Sequence, residues 1–192
     1  IFYDQKNRYN LQIRKTLETI LETYQGDKNE DNYKKFMVYA KRFFFSNGIH
    51  HHYSTDKMIP EFDPAFLDTL ISKSDYSKMP NERKKIEEFI SFLKPILFDP
   101  KLDAKGVSLA ADVDNVKASS SNLYENVTQK EVEQFYKNKI LPGVKEQPSW
   151  GLNSKVMKVN GKIEEQVWKS GGMYGAAIDE IVYWLEKAVT VA

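Results

Sequence analysis

The chain has 192 residues, of which 41% are hydrophobic and 13% aromatic, and this is enough apolar material to bury a core. Its 28 basic and 27 acidic residues leave a formal net charge of +1, so nothing in the composition indicates binding to nucleic acid or to an anionic membrane. The absence of cysteine excludes disulfides, thiolate metal sites and a cysteine nucleophile, and no run approaches the roughly 20 apolar residues that cross a bilayer.

Hydrophobic spacing predicts two helices at the start of the chain. Apolar residues recur at steps of three and four over residues 9–24, and Gly26 is placed to cap the end of this helix. A second stripe covers residues 31–44 and is expected to stop at Asn47-Gly48, because this pair favours a turn.

Two further helices are predicted in the middle of the chain. Asp63-Pro64 begins one of them, since aspartate caps free N–H groups and proline is tolerated in the first turn. The other spans residues 81–93, and Pro95 must kink or end it because proline lacks a backbone donor and clashes with the preceding turn. Residues 99–126 have no clear period and predict a long irregular loop, which is either functional or packed against a partner.

The next part of the chain combines a helix with a small β element. Thr128 and Glu131 fit a capping box, and the Pro-Gly pair at 142–143 is expected to close the helix that this box opens. Residues 155–168 predict two short strands joined by an Asn-Gly pair at 160–161, the dipeptide most typical of a two-residue hairpin.

A final apolar stripe over residues 178–189 predicts a helix with no stop signal before the end of the sequence. The sequence also begins without methionine, and both ends are interpreted as cuts within a longer protein. The predicted fold is therefore mainly α: a single helical lobe over residues 1–192 with one small β-hairpin.

The most unusual segment is RFFFSNGIHHHYSTDKMIP, at residues 42–60, which holds all three histidines of the chain. Neighbouring side chains point in different directions on a helix or a strand, so His50, His51 and His52 are poorly spaced for one metal site. In a loop, two of them could converge on zinc with Asp56 as a third ligand. A zinc site and a loop that merely carries histidines both stay open, and zinc would raise the melting temperature in the first case.

The sequence lacks the zinc-protease His-Glu-x-x-His signature, a Gly-x-Ser-x-Gly elbow and a phosphate-binding loop. The segment from Asn47 to Pro60 is nevertheless rich in polar donors and lies between two hydrophobic helices. Binding residues are often found on such loops, because the flanking elements hold them in place. An ordinary connection between helices is the alternative.

The stretch FFFSNGIHHHYSTDKMIPEF, residues 43–62, is similar to a segment of bacterial dipeptidyl peptidase III. This is a family of zinc exopeptidases that remove dipeptides from the N-terminus of oligopeptides. IFYDQKNRYNLQIRKTLETI at the start of the chain and SGGMYGAAIDEIVYWLEKA near its end resemble the same family, so the resemblance spans the whole chain.

Members of that family fold into two lobes around a wide cleft, and one lobe holds zinc with a His-Glu-x-x-Gly-His helix and a later glutamate. This sequence contains neither motif. The resemblance therefore implies the N-terminal, non-zinc part of a longer two-lobed metallopeptidase. It implies no catalytic residue and no metal in this chain, zinc as the cofactor of the parent enzyme only, and no hydrolysis by the fragment alone.

In the family, an aromatic residue followed four positions later by lysine lines the substrate cleft, and this match falls on Tyr53 and Lys57. Asn47, His50 and His52 are added as candidate substrate contacts because they lie close by in the sequence. The family's other peptide anchors, a Glu-x-Tyr and an asparagine-bearing strand, have no counterpart here.

The resemblance implies an oligopeptide substrate and the remaining lobe of the parent chain as partners, while the balanced charge indicates neither nucleic acid nor membrane. The resemblance also implies a cytoplasmic location, with the periplasm as the alternative. A stand-alone helical module that binds a peptide or protein is the alternative function. A gene that continues past Ala192 into a His-Glu-x-x-Gly-His helix would favour the peptidase.

Overall fold

The structure is a computed structural model that describes all 192 residues. It contains eight α-helices and one small three-stranded sheet, so the predicted mainly α class is confirmed at this level. The chain divides into two compact units. We call residues 2–108 with 119–121 the helical unit, and residues 109–118 with 122–192 the sheet unit. One lobe can contain two such units, so the single-lobe organisation stays a prediction.

The helical unit contains five α-helices, and all but the first bury apolar residues in a common core. The predicted stripes account for four of them, and a short 3-10 turn precedes the last. They are α1 (Phe2–Lys6), α2 (Asn10–Thr23), α3 (Asp31–Ser46), α4 (Phe66–Ser72) and α5 (Ile86–Phe98), with the 3-10 turn at Tyr76–Lys78.

Aromatic rings form much of this core. Phe36, Phe43 and Phe89 are completely buried, and burial of each such side chain contributes about 1.5–3 kcal/mol. Phe62 meets the ring of Phe36 edge to face at 5.9 Å. These contacts join α3, α5 and the chain between α3 and α4 into one packed body.

The ends of α2 and α3 differ in how well the sequence predicts them. Helix α3 stops at Asn47-Gly48 as predicted. The predicted cap at Gly26 is wrong, because α2 already ends at Thr23. Tyr24 is buried and takes an extended backbone, and the N–H of Gln25 then donates to the carbonyl of Lys73 at 2.9 Å.

Helix α5 begins at Ile86 rather than at residue 81. Glu82 and Arg83 have φ values of 51° and 65°, which no right-handed helix can include. Pro95 does not end the helix, which continues to Phe98, and the carbonyl of Pro95 accepts the N–H of Asp99 at 3.0 Å. Proline removes one backbone hydrogen bond and crowds the preceding turn, but the residues after it keep their own N–H donors, so one further turn can follow it.

The sheet unit contains three helices and three strands. Two of these elements, α6 and β1, lie within the segment predicted to be irregular. The elements are α6 (Asn115–Ala118), β1 (Tyr124–Glu125), α7 (Gln129–Lys137), β2 (Ser154–Val159), β3 (Lys162–Val167) and α8 (Gly175–Val189).

Strands β2 and β3 form the predicted antiparallel hairpin, with Val159 opposite Lys162. Asn160 and Gly161 have φ values of 49° and 79°, as a type I′ turn requires. The hairpin is not isolated, however, because β1 pairs with β2 in parallel and makes a mixed sheet in the order β1-β2-β3. A two-residue strand offers no period, which is why the sequence did not reveal it.

Helix α7 starts with the predicted capping box, in which the Thr128 hydroxyl accepts the N–H of Glu131. The helix ends at Lys137, several residues before the Pro-Gly pair expected to close it. Val132 packs with Val127 and Val156 in the small core of this unit. No helix of the structure is both long and apolar enough to cross a membrane.

Candidate functional site

The loop from Asn47 to Pro60 begins at a sharply defined helix end. Asn47 takes a left-handed conformation, with φ 55° and ψ 48°, and the N–H of Gly48 donates to the carbonyl of Phe43 at 3.0 Å. Gly48 has φ 144°, and a Cβ on it would lie 2.2 Å from Nδ2 of Asn10. The Oδ1 atom of buried Asn10 accepts the N–H of Ile49 at 3.1 Å, so α2 fixes where the loop begins.

The loop then folds back on itself as a short antiparallel turn. The N–H of His51 donates to the carbonyl of Asp56 at 2.8 Å, and that of Met58 donates to Ile49 at 2.8 Å. Thr55 closes the turn with a left-handed φ of 58°. Backbone hydrogen bonds of this kind give the loop a single defined shape.

A second segment, residues 99–108, holds the loop from the other side. The N–H of Lys57 donates to the carbonyl of Ala104 at 3.0 Å, and the Thr55 hydroxyl donates to the carbonyl of Val107 at 2.8 Å. The ammonium of Lys105 forms an ion pair with Asp56 at 2.6 Å. The loop is therefore tied to the helical unit at both its tip and its base.

His50 is the buried anchor of this arrangement, with 4% of its surface exposed. Its Nε2 atom lies 2.7 Å from the carbonyl oxygen of Asp103 and 3.2 Å from the hydroxyl of Ser120. A carbonyl oxygen can only accept, so Nε2 carries the proton and donates it. Burial lowers the pKa of His50, against a smaller opposing effect of the Asp103 carbonyl, so the ring is neutral at pH 7.

The side chain of Lys57 also turns inward and bonds to backbone carbonyl groups. Its Nζ atom donates to the carbonyl oxygens of Asp99 at 2.6 Å and Leu102 at 2.8 Å. Burial lowers the pKa of this lysine, while Asp103 and Asp99 act in the opposite direction. An ammonium held by two carbonyls positions the turn at residues 99–102, and any contact with a substrate would use its remaining hydrogen.

The outer side of the loop carries a cluster of rings that we call the aromatic stack: Phe45, His51, His52 and Tyr53. The ring centroid of His52 lies 4.8 Å from that of Phe45, 4.5 Å from that of His51 and 4.1 Å from that of Tyr53. Phe45 and Tyr53 are 73% and 84% exposed, although aromatic rings are normally covered. These rings meet at interplanar angles of 84°, 31° and 47°, so they offer an uneven, partly apolar surface to solvent.

The three imidazoles do not converge on a common point. The Nε2 atom of His50 is engaged with Asp103, and Nδ1 of His51 accepts the N–H groups of Tyr53 and Ser54 at 3.3 Å each. Asp56 is occupied by Lys105. No group of three or more histidine, aspartate or glutamate side chains in the structure is placed to hold a metal ion.

The five residues singled out from the sequence therefore fall into two sets. Tyr53 and His52 lie together in the aromatic stack. Asn47 forms the helix end, and His50 and Lys57 turn inward to hold the loop, so these three position the stack.

Sequence reasoning missed Phe45 and the loop's partners. Phe45 directly follows two phenylalanines and falls off the helical stripe that buries Phe43, and this offset was the available signal. Asp103 and Ser120 lie more than fifty residues from His50, in a segment without periodicity, and no local pattern pointed to them.

Comparison with protein-family models and with curated proteins finds no match for the chain.

Proposed function

We propose that this chain is the non-zinc part of a dipeptidyl peptidase III-like metallopeptidase, which removes dipeptides from the N-terminus of oligopeptides. In this proposal the aromatic stack forms part of the wall of the substrate cleft. The sequence resemblance suggests the family. The observation that carries the role of the loop is the exposure of Phe45 and Tyr53 on a segment that is otherwise tightly held.

An exposed ring surface on a rigid loop suits the binding of a peptide. Tyrosine provides contact area with few rotatable bonds, and its hydroxyl can bond to a peptide group. The hydrogen bonds of His50 and Lys57 fix the backbone beneath the stack before any ligand arrives. Less conformational entropy is then lost on binding, which favours affinity.

The histidines of the loop are not arranged as ligands of one zinc ion. His50 is buried with its Nε2 proton donated to a carbonyl oxygen, and His51 uses Nδ1 to accept backbone N–H groups. The proposal therefore assigns the metal, and all bond cleavage, to polypeptide outside this chain. The chain's own contribution is to bind and orient the peptide.

A stand-alone module that binds a peptide or protein is the second candidate. The same exposed stack favours it, since ring surfaces of this kind are enriched at interaction sites. The two candidates differ in what replacement of Tyr53 would affect. In the first it would affect substrate hydrolysis by a zinc enzyme, and in the second it would affect binding alone.

The decisive experiment uses the polypeptide encoded by the complete gene, with a chromogenic dipeptide amide as substrate. Zinc-dependent release is expected, and Tyr53→Ala is expected to raise KM about tenfold with kcat little changed, since a contact made equally in ground and transition states affects KM. Tyr183→Ala, on α8, is the matched control. No release by the complete protein would contradict the peptidase, and release without an effect of Tyr53→Ala would contradict the role of the loop.

The 192-residue chain alone is expected to release nothing from the same substrate, with or without added zinc. Release that a chelator abolishes would contradict the assignment of the metal to polypeptide outside the chain.

A further inference from the structure

Helix α8 presents an apolar surface that the rest of the sheet unit leaves largely exposed. None of its side chains is buried, and Leu185 and Val189 are 61% and 76% exposed. A single 15-residue helix is marginally stable in water, and helices normally gain stability by packing an apolar face. The surface is therefore of the kind that another element covers.

The apolar residues of α8 follow the spacing of a helix-pairing seam. Ile178, Val182, Leu185 and Val189 are separated by four, three and four residues. This alternation places them in one narrow row along the helix and matches the a and d positions of a coiled coil. The seam is suited to a second helix rather than to a flat surface.

Charge lies along one edge of this seam only. Asp179 and Glu186 each follow a seam residue directly and flank it on the same side. The opposite edge carries Ile181 and Ala188, which are uncharged. Lys187 lies away from the seam, with its ammonium over the ring of Tyr183 at 5.5 Å.

This one-sided charge argues against pairing between two copies of α8. In an antiparallel pair the acidic edges of Asp179 and Glu186 would face each other, and like charges destabilise such an arrangement. In a parallel pair they would face the uncharged edge and form no ion pair. A helix with lysine or arginine along its facing edge would complement both carboxylates.

We propose that α8 is a docking surface for an amphipathic α-helix of different sequence, whose apolar seam is flanked on one edge by basic residues. The seam supplies the buried area, and the acidic edge selects the partner and its orientation. The proposal does not rest on the proposed function, because it uses only the sequence pattern and exposure of α8.

The test uses two fluorescently labelled synthetic peptides of three heptads that share one apolar seam and differ in carrying lysine or glutamate at the flanking positions. Fluorescence anisotropy with the 192-residue chain is expected to show that the lysine peptide binds about tenfold more tightly than the glutamate peptide. At the two acidic positions the lysine peptide gains from opposite charges and the glutamate peptide loses from like charges. The double variant Asp179→Lys/Glu186→Lys is expected to reverse the preference.

Two further variants test the seam itself. Leu185→Asp with Val189→Asp is expected to weaken binding of the lysine peptide at least tenfold, whereas Tyr183→Asp, away from the seam on the same helix, is expected to leave it unchanged. Both seam residues are exposed, so circular dichroism and the melting temperature check that the remaining fold persists.

Equal binding of the two peptides would overturn the selection by charge, and no binding of either would overturn the docking surface. Sedimentation equilibrium gives a further outcome: a dimer of the chain that disappears in the Leu185/Val189 variant would assign the surface to a second copy and contradict the proposal.

Discussion

The Nε2 atom of His50 donates a hydrogen bond to the carbonyl oxygen of Asp103, 53 residues further along the chain, over 2.7 Å. This contact joins the base of the exposed loop to the segment that follows α5. Because the ring is buried, its protonation would place a charge where solvent cannot reach it. The stability of the loop that carries the aromatic stack therefore depends on the protonation of His50.

We expect the chain to lose stability as the pH falls below the ordinary histidine pKa of 6.5. Burial lowers the pKa of His50 in the folded state, so the unfolded chain takes up a proton first. The free energy of unfolding is unaffected above pH 6.5 and falls as the pH drops towards the folded-state pKa. Urea unfolding from about two pH units below the ordinary histidine pKa to about one unit above it measures the slope.

His50→Gln is expected to remove this part of the slope, because glutamine can donate to Asp103 but does not titrate. His52→Gln is the matched control and is expected to keep it. The groups that act on His50 are Asp103, Lys57 and Lys6, and none of them changes in either variant. An unchanged slope in His50→Gln would contradict the assignment.

Gly48→Ala is expected to destabilise the chain by at least about 1–3 kcal/mol, because a clash with Asn10 adds to the cost of a strained backbone position. Gly48 has φ 144°, and the new Cβ would lie 2.2 Å from Nδ2 of Asn10. Gly143→Ala, with φ 75° and no atom within 4 Å of the new Cβ, is the control and is expected to cost less. Chemical unfolding compares the two variants, and equal losses would show that contact with Asn10 is unimportant.

Lys57→Met is expected to destabilise the helical unit by about 1–3 kcal/mol, because two carbonyl oxygens lose a charged donor. Methionine keeps the apolar stem and removes only the ammonium. Lys41→Met, at an exposed position of α3, is expected to change stability by no more than about 0.5 kcal/mol. Urea midpoints of the two variants provide the measurement, and an unchanged midpoint for Lys57→Met would show that the hydrogen bonds of its ammonium do not stabilise the fold.

Thr128→Ala is expected to cost about 1 kcal/mol, the usual loss when a helix N-cap is removed. Thr128→Ser is the matched control, since serine keeps the hydroxyl that accepts the N–H of Glu131. Thermal unfolding followed by circular dichroism of the two variants gives the comparison. Equal melting temperatures would mean that the cap is not needed for α7.

Glu131 makes the same cap sensitive to acid. A hydrogen bond from Lys158, with two from Thr128, lowers the pKa of Glu131 to about 2. The folded carboxylate thus holds its charge to lower pH than the unfolded one. Its contribution is complete above the ordinary pKa of 4.5 and is lost as the pH falls through 2. Glu131→Gln is expected to flatten the unfolding profile in that window, and a persisting slope would point to another carboxylate.

Local chemistry was sufficient to predict the features that depend on a few neighbouring residues. The stripes of α2 and α3, the stop at Asn47-Gly48, the capping box at Thr128 and the hairpin at Asn160-Gly161 all follow from periodicity, caps or turn preferences. Each of these acts within a few residues along the chain, so the neighbouring residues are sufficient to determine each feature.

The tertiary structure alone decided what the loop presents and what it hides. His50, His52, Tyr53 and Lys57 look alike in the sequence as polar loop residues, yet His50 and Lys57 turn inward while Tyr53 is exposed. The difference arises because carbonyl groups of residues 99–103 lie within hydrogen-bond distance of the first pair. Such contacts depend on loop closure over some fifty residues, and no local preference encodes that closure.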